Sequence, residues 1–235
     1  MLEIKHYGKS YGSKVAVKDL SLTISAGDIY GFIGHNGAGK TTTLNAVTGI
    51  LPIEKGDILL DGISVKERPI ECKMKMAYIP DNPELYESMT GLKYIKFICD
   101  IYEVPPEIRE SNIQKYAAAF GMTDELMSPI SSYSHGMKQK ISIIAALSHE
   151  PKLMVLDEPF VGLDPKASHT LKEYMREICE AGGAIFFSTH VLEVVEKLCN
   201  KIAIIKNGEL IRLGQTDEVR GDSSLEDLFL ELAEE

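Results

Sequence analysis

The sequence predicts an α/β fold: a mostly parallel sheet, an N-terminal antiparallel β subdomain and an inserted helical subdomain. Three observations carry that expectation. Short, wholly apolar runs such as IYGFI, LMVL and AIFF have the composition of strands covered on both faces. Helical patterns, SHTLKEYMREICE and VLEVVEKLC, alternate with them as parallel crossovers require. The opening segment instead alternates, with Leu2 and Ile4, then Leu20, Leu22 and Ile24 on one face, the period of half-buried strands.

Taken in order, the turn AGD leads from that alternation into the buried strand IYGFIG, and TTTLNAVTGIL reads as a helix. GDILLDGISV is a hairpin whose Asp61-Gly62 pair suits a type I′ turn, and KMAYIP is another short strand. From about 83 to 150 the texture becomes helical, with LKYIKFICDIY and IQKYAAAF separated by Pro105-Pro106 and Gly121. Strands resume at KLMVLDEP and AIFFSTH, and KIAIIKNGELIRLG folds back around Asn207-Gly208. The tail SSLEDLFLEL has a capping signal from Ser224 to Asp227 and apolar residues Leu225, Leu228, Phe229 and Leu232 at helical spacing. One domain over 1–235 is expected, with a core at 1–82 and 151–220, a helical subdomain at 83–150 and a hairpin and helix at 201–235.

Composition narrows the function. The chain has 235 residues, 44% hydrophobic and 26% charged, ample for a sizeable core. A net charge of −10 argues against a broad nucleic-acid face, which needs a basic surplus. The four cysteines form no CxxC pair and read as free thiols. The N-terminal stretch lacks the apolar centre of a signal peptide, and no run is long enough to span a bilayer. Any membrane role is expected to come through another chain.

GHNGAGKT, Gly34 to Thr41, fits G-x-x-x-x-G-K-[ST] and lies between an apolar strand and a helix, the context a phosphate loop needs. Backbone amides from Gly34, His35, Asn36, Gly37, Ala38, Gly39 and on to Thr42 wrap phosphates in such a loop. Lys40 reaches the β- and γ-phosphates, and Thr41 ligates Mg²⁺. LMVLDEP, Leu153 to Pro159, is a strand ending in two carboxylates. Beside the phosphate loop, Asp157 can hold Mg²⁺, and Glu158 can orient or deprotonate the attacking water. Together these are the parts of a P-loop NTPase. A second helix start, YSHGMKQK at 133–140, has Ser134 as a cap and amides free to meet an anion.

VGLDP (Val161 to Pro165), STH at the end of the next strand and YSHGMKQ complete five motifs in one order. Over essentially the whole chain they resemble the ATP-binding subunit of ATP-binding-cassette (ABC) transporters. The resemblance implies ATP and Mg²⁺ as ligands and ATP hydrolysis as the reaction. It makes His190 the switch histidine at the γ-phosphate, and Asp164 the aspartate that speaks across a dimer interface. Tyr11 becomes the aromatic stacked on adenine, with Tyr7 as fallback. It also assigns Ser134 and Gly136 to the γ-phosphate of ATP held by a facing subunit. The implied partners are a second ATP-binding subunit and separate transmembrane permease subunits, at the cytoplasmic face of the cell membrane, with no nucleic acid.

Two departures stand out. His135 and Met137 replace the first glycine and the glutamine of the common LSGGQ signature. Asp81 stands where the family usually has a glutamine linking Mg²⁺ and water to the membrane partner. It is expected either to contact metal or water, or to cap a helix or turn. These features look most like bacterial exporter-type cassettes. Leu85, Tyr86, Met89 and Tyr94 are candidates for a docking groove, against the simpler expectation of burial. Two other readings compete. A soluble ABC-family ATPase acting on ribosomes or nucleic acid usually carries two cassettes or basic arms, absent here. A small-molecule kinase explains the phosphate loop but neither YSHGM nor STH.

Overall fold

The computed structural model describes residues 1–221 and 223–234, with backbone alone over 230–234. Strands β1 (Leu2–Tyr11) and β2 (Lys14–Ile24) pair antiparallel, with Leu2 opposite Ile24 and Ile4 opposite Leu22. The period-2 pattern puts Leu2, Ile4, Leu20, Leu22 and Ile24 on the inner face, where all are buried. After β3 (Ile29–Ile33), β4 (Lys55–Leu60) adds to the other side of β1, and β5 (Ile63–Ser64) closes this antiparallel sheet. Asp61 and Gly62 have φ of 50° and 77°, the double left-handed geometry of a type I′ turn.

The second sheet contains β3, β6 (Met76–Ile79), β7 (Leu153–Asp157), β8 (Ala184–Thr189), β9 (Lys201–Lys206) and β10 (Glu209–Gln215). Its order is β10-β9-β3-β8-β7-β6; every pairing is parallel except that of β10 with β9, joined through Asn207-Gly208. The apolar runs alternate after all, but between two cores. Tyr30, Phe32, Leu153, Val155 and Phe186 face the antiparallel sheet. Ile29, Ile33, Met154, Leu156, Ile185 and Phe187 face the helices. A strand buried on both sides shows no polar beat in its sequence, so length and flanking turns alone identify it.

Helix α1 (Lys40–Val47) stops short of the expected GIL because Gly49, at φ 65°, turns the chain left-handed, and the amides of Ile50 and Leu51 both donate to the Asn45 carbonyl. Helix α2 (Pro69–Lys73) is too short for a 3.6-residue period to be read from sequence. Between β6 and β7 lie α3 (Gly91–Ile101), α4 (Pro106–Ala119) and α5 (His135–Ser148). Their buried Ile95, Cys99, Ile113, Tyr116 and Phe120 join the same apolar cluster as the underside of the sheet. The insertion therefore shares a core with the sheet. Helices α6 (Pro165–Glu180) and α7 (Leu192–Leu198) make the remaining crossovers, and the short α8 (Thr216–Arg220) follows β10.

The tail forms α9 (Leu225–Glu234), opened by a reciprocal cap: Ser224 Oγ donates to Asp227 Oδ2 at 2.7 Å and accepts from the Asp227 amide at 3.1 Å. Leu225 and Leu228 are buried, and the Leu225 amide donates to Glu196 of α7 at 2.6 Å. The expectation for the side chain of Leu232 lies outside the described residues. All four cysteines are free and buried.

Candidate functional site

The loop between β3 and α1 folds around its own lysine. Lys40 Nζ donates to the Gly34 carbonyl at 2.6 Å and lies 3.9 Å from Glu158 Oε1, with the side chain almost fully buried. Burial pushes the Lys40 ammonium down; Glu158 and Asp157 hold it up. Gly39 has φ 111°, and a Cβ there would come within 2.6 Å of the Ala16 carbonyl oxygen, so only glycine fits at the start of α1. The amide of Gly208 donates to the Ala38 carbonyl at 3.0 Å, tying the loop to the β9–β10 turn. Ala38 is buried; His35, Asn36 and Gly37 are exposed, with their amides at the rim.

Two carboxylates arrive from the end of β7. Asp157, buried, accepts from Thr41 Oγ1 at 2.7 Å through Oδ2 and from Ser188 Oγ through Oδ1. Glu158 sits one residue beyond the strand in the left-handed region, at φ 47°, an uncommon and costly place for a long side chain. Its amide donates to the Ser188 carbonyl at 3.1 Å; its Oε1 lies 2.9 Å from His190 Nδ1, while Oε2 is buried without a partner. A buried carboxylate oxygen with an open valence is poised to accept a proton or a hydrogen bond from a bound water. Asp157 and Thr41 form a hard-oxygen pair suited to Mg²⁺, which takes one or two carboxylates and completes its shell with phosphate and water. Among the described residues no three His, Cys, Asp or Glu side chains converge into a metal cage.

These groups line one cleft of about 270 Å³, with Tyr11 at one wall and Asp81 at another. The cleft gathers Tyr11, His35, Asn36, Gly37, Gly39, Lys40, Thr41, Thr42, Asp81, Asp157 and Glu158. Gly34 and Ala38 lie behind it in the loop, and His190 joins through Glu158. Tyr11 is 50% exposed, with Lys9 Nζ 5.7 Å from the centre of its ring on one side. The fallback Tyr7 is corrected: it is fully buried, because the irregularity in β1 between Ile4 and Tyr7, with His6 at φ 50°, shifts the alternation and seats Tyr7 inward opposite Leu20, so it presents no face to a ligand. Asp81 is exposed on the cleft wall.

Ser134, Gly136 and Asp164 are not part of this cleft. Ser134 caps α5, accepting from the Met137 amide at 3.3 Å, and both Ser134 and His135 are exposed. Asp164 caps α6 by accepting from the Ala167 amide at 2.8 Å, and its other oxygen accepts from Lys140 at 2.5 Å. The Lys140 ammonium, then that amide, hold the Asp164 carboxyl below its ordinary range. Sequence reasoning missed Ser188 and Lys140. Ser188 had a signal, since a small hydroxyl ending a strand next to β7 can reach its neighbour's carboxylate. Lys140 had none beyond its position one turn and a half after the cap.

The comparisons agree with this geometry. A family model described as ABC transporter matches residues 17–161. Among curated proteins, the chain is 35% identical to the ABC-type transporter ATP-binding protein EcsA of Bacillus subtilis (strain 168), over 100% of this chain and 97% of that one. It is 33% identical to the Linearmycin resistance ATP-binding protein LnrL of the same organism, over 91% of this chain and 69% of the relative. Among solved structures, an ATP-binding subunit of an ABC transporter superposes with TM-score 0.95 at 33% identity, covering 99% of each chain. The dimeric post-hydrolysis structure of the cassette MJ0796 bound to ADP and Pi shares the fold, with TM-score 0.84 at 21% identity over 92% of this chain and 99% of that one. With a phosphate loop, a hydroxyl–carboxylate pair and an unpartnered carboxylate oxygen in one cleft, the chain belongs to the ABC transporter family as an ATP-binding subunit, an ABC ATPase.

Proposed function

We propose that two ATP-binding subunits close around two MgATP and hydrolyse them to drive substrate movement, in the export direction, through separate membrane subunits. The observation that carries this reading is the separation of Ser134 and Gly136 from the cleft that holds Lys40, Asp157 and Glu158. The α5 N-terminus is exposed, and its capped amides are those a phosphate needs. Each chain then contains two half-sites, and a facing subunit completes both.

Within the cleft, the loop amides from Gly34 to Thr42 hold the phosphates and Lys40 balances the β/γ charge. Tyr11 stacks on adenine, and Thr41 and Asp157 hold Mg²⁺, with Asp81 approaching it through water. Held by Thr41 and Asp157, Mg²⁺ would supply positive charge that offsets what develops on the phosphates. Glu158 accepts a proton from the attacking water through Oε2, while His190 holds Oε1 and reaches the γ-phosphate. Asp164 faces the partner across the interface.

Membrane subunits dock on the 83–150 region, where a cleft of about 230 Å³ is lined by Leu85, Tyr94, Tyr102 and His149 among others. Of the residues singled out from sequence, Tyr86 is exposed, Leu85 and Tyr94 line this cleft and Met89 packs against the core. No helix among the described residues is long and apolar enough to cross a membrane. In this reading the partner chains hold the subunit at the cytoplasmic face of the cell membrane. The similarity to a protein named for linearmycin resistance supports export.

Mixing decides the pairing. A K40A copy lacks its own cleft, and an S134R copy cannot complete its partner's. Each alone is expected to be inactive, and an equimolar mixture regains ATPase activity because one composite site is intact. No recovery on mixing refutes completion in trans. Separately, E158Q with MgATP is expected to accumulate a dimer by size-exclusion chromatography while hydrolysis falls about 100-fold or more.

A further inference from the structure

The loop that begins at Glu158 runs out of the cleft and ends at Asp164, the cap of α6. At its base Phe160 packs edge-on against Phe187, ring centres 6.0 Å apart, with Lys172 Nζ 5.2 Å above its face. Midway, Gly162 has φ 79°, and a Cβ built on it would lie 2.5 Å from His135 Cδ2 and 3.0 Å from His135 Nε2. A Cβ on Gly136 would lie 2.6 Å from the Gly162 carbonyl oxygen. The two glycines thus interlock backbone against backbone, with the imidazole of His135 seated on Gly162. Two residues beyond Gly162, Asp164 accepts from Lys140, also on α5, at 2.5 Å.

We propose that His135 is a positioning residue which couples this chain's own catalytic loop to the half-site it offers the facing subunit. The inference rests on the pairing proposed above. An anion at the α5 N-terminus needs only amides and the Ser134 hydroxyl, for which glycine at 135 suffices. The imidazole adds bulk in a different direction, onto Gly162 of its own chain. Close-packed surfaces of this kind do not slide independently. A shift of Glu158 on binding or hydrolysis moves Gly162, and through His135 it moves the first turn of α5. The state of one nucleotide site is thereby felt at the other.

The test uses the full chain and MgATP. In H135G the ring is gone but the amides remain. Affinity for a fluorescent ATP analogue, measured on dilute monomer, is expected to change by no more than about twofold, since Lys40 and its loop are untouched. The Hill coefficient for ATP in steady-state hydrolysis is expected to fall from ~2 to ~1, and kcat by about fivefold to tenfold. H135F restores a flat ring over Gly162 and should recover the cooperativity, which a need for imidazole hydrogen bonding would not allow. G162A adds a methyl under the ring; it should depress cooperativity strongly, and H135G/G162A should regain part of it.

Unchanged cooperativity in H135G, or effects of H135G and G162A that merely multiply, overturns the proposal. Failure of E158Q to dimerise with ATP would instead refute the pairing and, with it, the coupling role. The same double-mutant cycle read from thermal melting of the monomer still reports whether the His135–Gly162 contact exists.

Discussion

Ser188 fixes one oxygen of Asp157 while Thr41 fixes the other, so the carboxylate has a single orientation before any ligand arrives. Groups that orient a metal ligand carry much of its affinity. S188A is therefore expected to raise the Mg²⁺ concentration for half-maximal ATPase activity by about 10-fold, with ATP binding in EDTA unchanged; equal Mg²⁺ dependence in the two proteins would refute that role. Residues of this kind mark the limit of what the sequence makes legible. GHNGAGKT and LMVLDEP are readable because the chemistry is contiguous, each motif carrying its own strand, turn and helix start. Ser188 and Lys140 act across 31 and 24 positions, and nothing local distinguishes them from other small or charged residues. Tyr7 shows the converse error, for an aromatic near a strand end becomes a buried core residue once register is known.

At the scale of an element, α5 starts at the Ser134 cap and carries His149 at its other end, as its C-cap. The His149 ring stacks on Tyr102 of the α3 end, centres 3.6 Å apart, and its Nδ1 is buried without a partner. Burial lowers its pKa from the ordinary 6.5 to about 4. The unfolded chain therefore binds a proton near pH 6.5 that the native chain refuses until about pH 4. This contribution is intact above pH 6.5 and is lost progressively as pH falls through that window, on the order of 3 kcal/mol in all. H149F keeps a stacked ring and removes the proton site. Melting temperature from pH 7 to 4 should then decline less steeply in H149F than in wild type; parallel curves would exclude His149 as the titrating group. Short elements such as α2 escape sequence reading because five residues cannot display a period. Long amphipathic ones such as α6 are plain, since Leu171 and Met175 mark its buried face.

Across the whole molecule, one sheet is shared by two cores, and the fold depends on that sharing. Phe186 touches both Phe32, at 5.5 Å, and Tyr30, at 6.0 Å, on the face toward the antiparallel sheet, while its neighbour Phe187 serves the opposite face. F186A is expected to destabilise the chain by about 3–5 kcal/mol. Near- and far-ultraviolet circular dichroism should still report one coincident transition, because neither core can open without exposing the strands of the other. Two separated transitions would show that the layers unfold independently. The fold class was legible because apolar runs and helical patterns alternate along the chain. The order of strands was not, because adjacency of β3, β8 and β9 is decided by long-range pairing.

The left-handed backbone at Glu158 carries a consequence for how such a protein drifts under selection for stability alone. A glutamate at φ 47° with one buried, unpartnered oxygen costs folding free energy. Asparagine tolerates that backbone region far better. E158N should therefore melt higher than wild type, by an amount worth about 1 kcal/mol, while losing hydrolysis. The chain is held away from its own thermal optimum by the backbone that seats this carboxylate in the cleft.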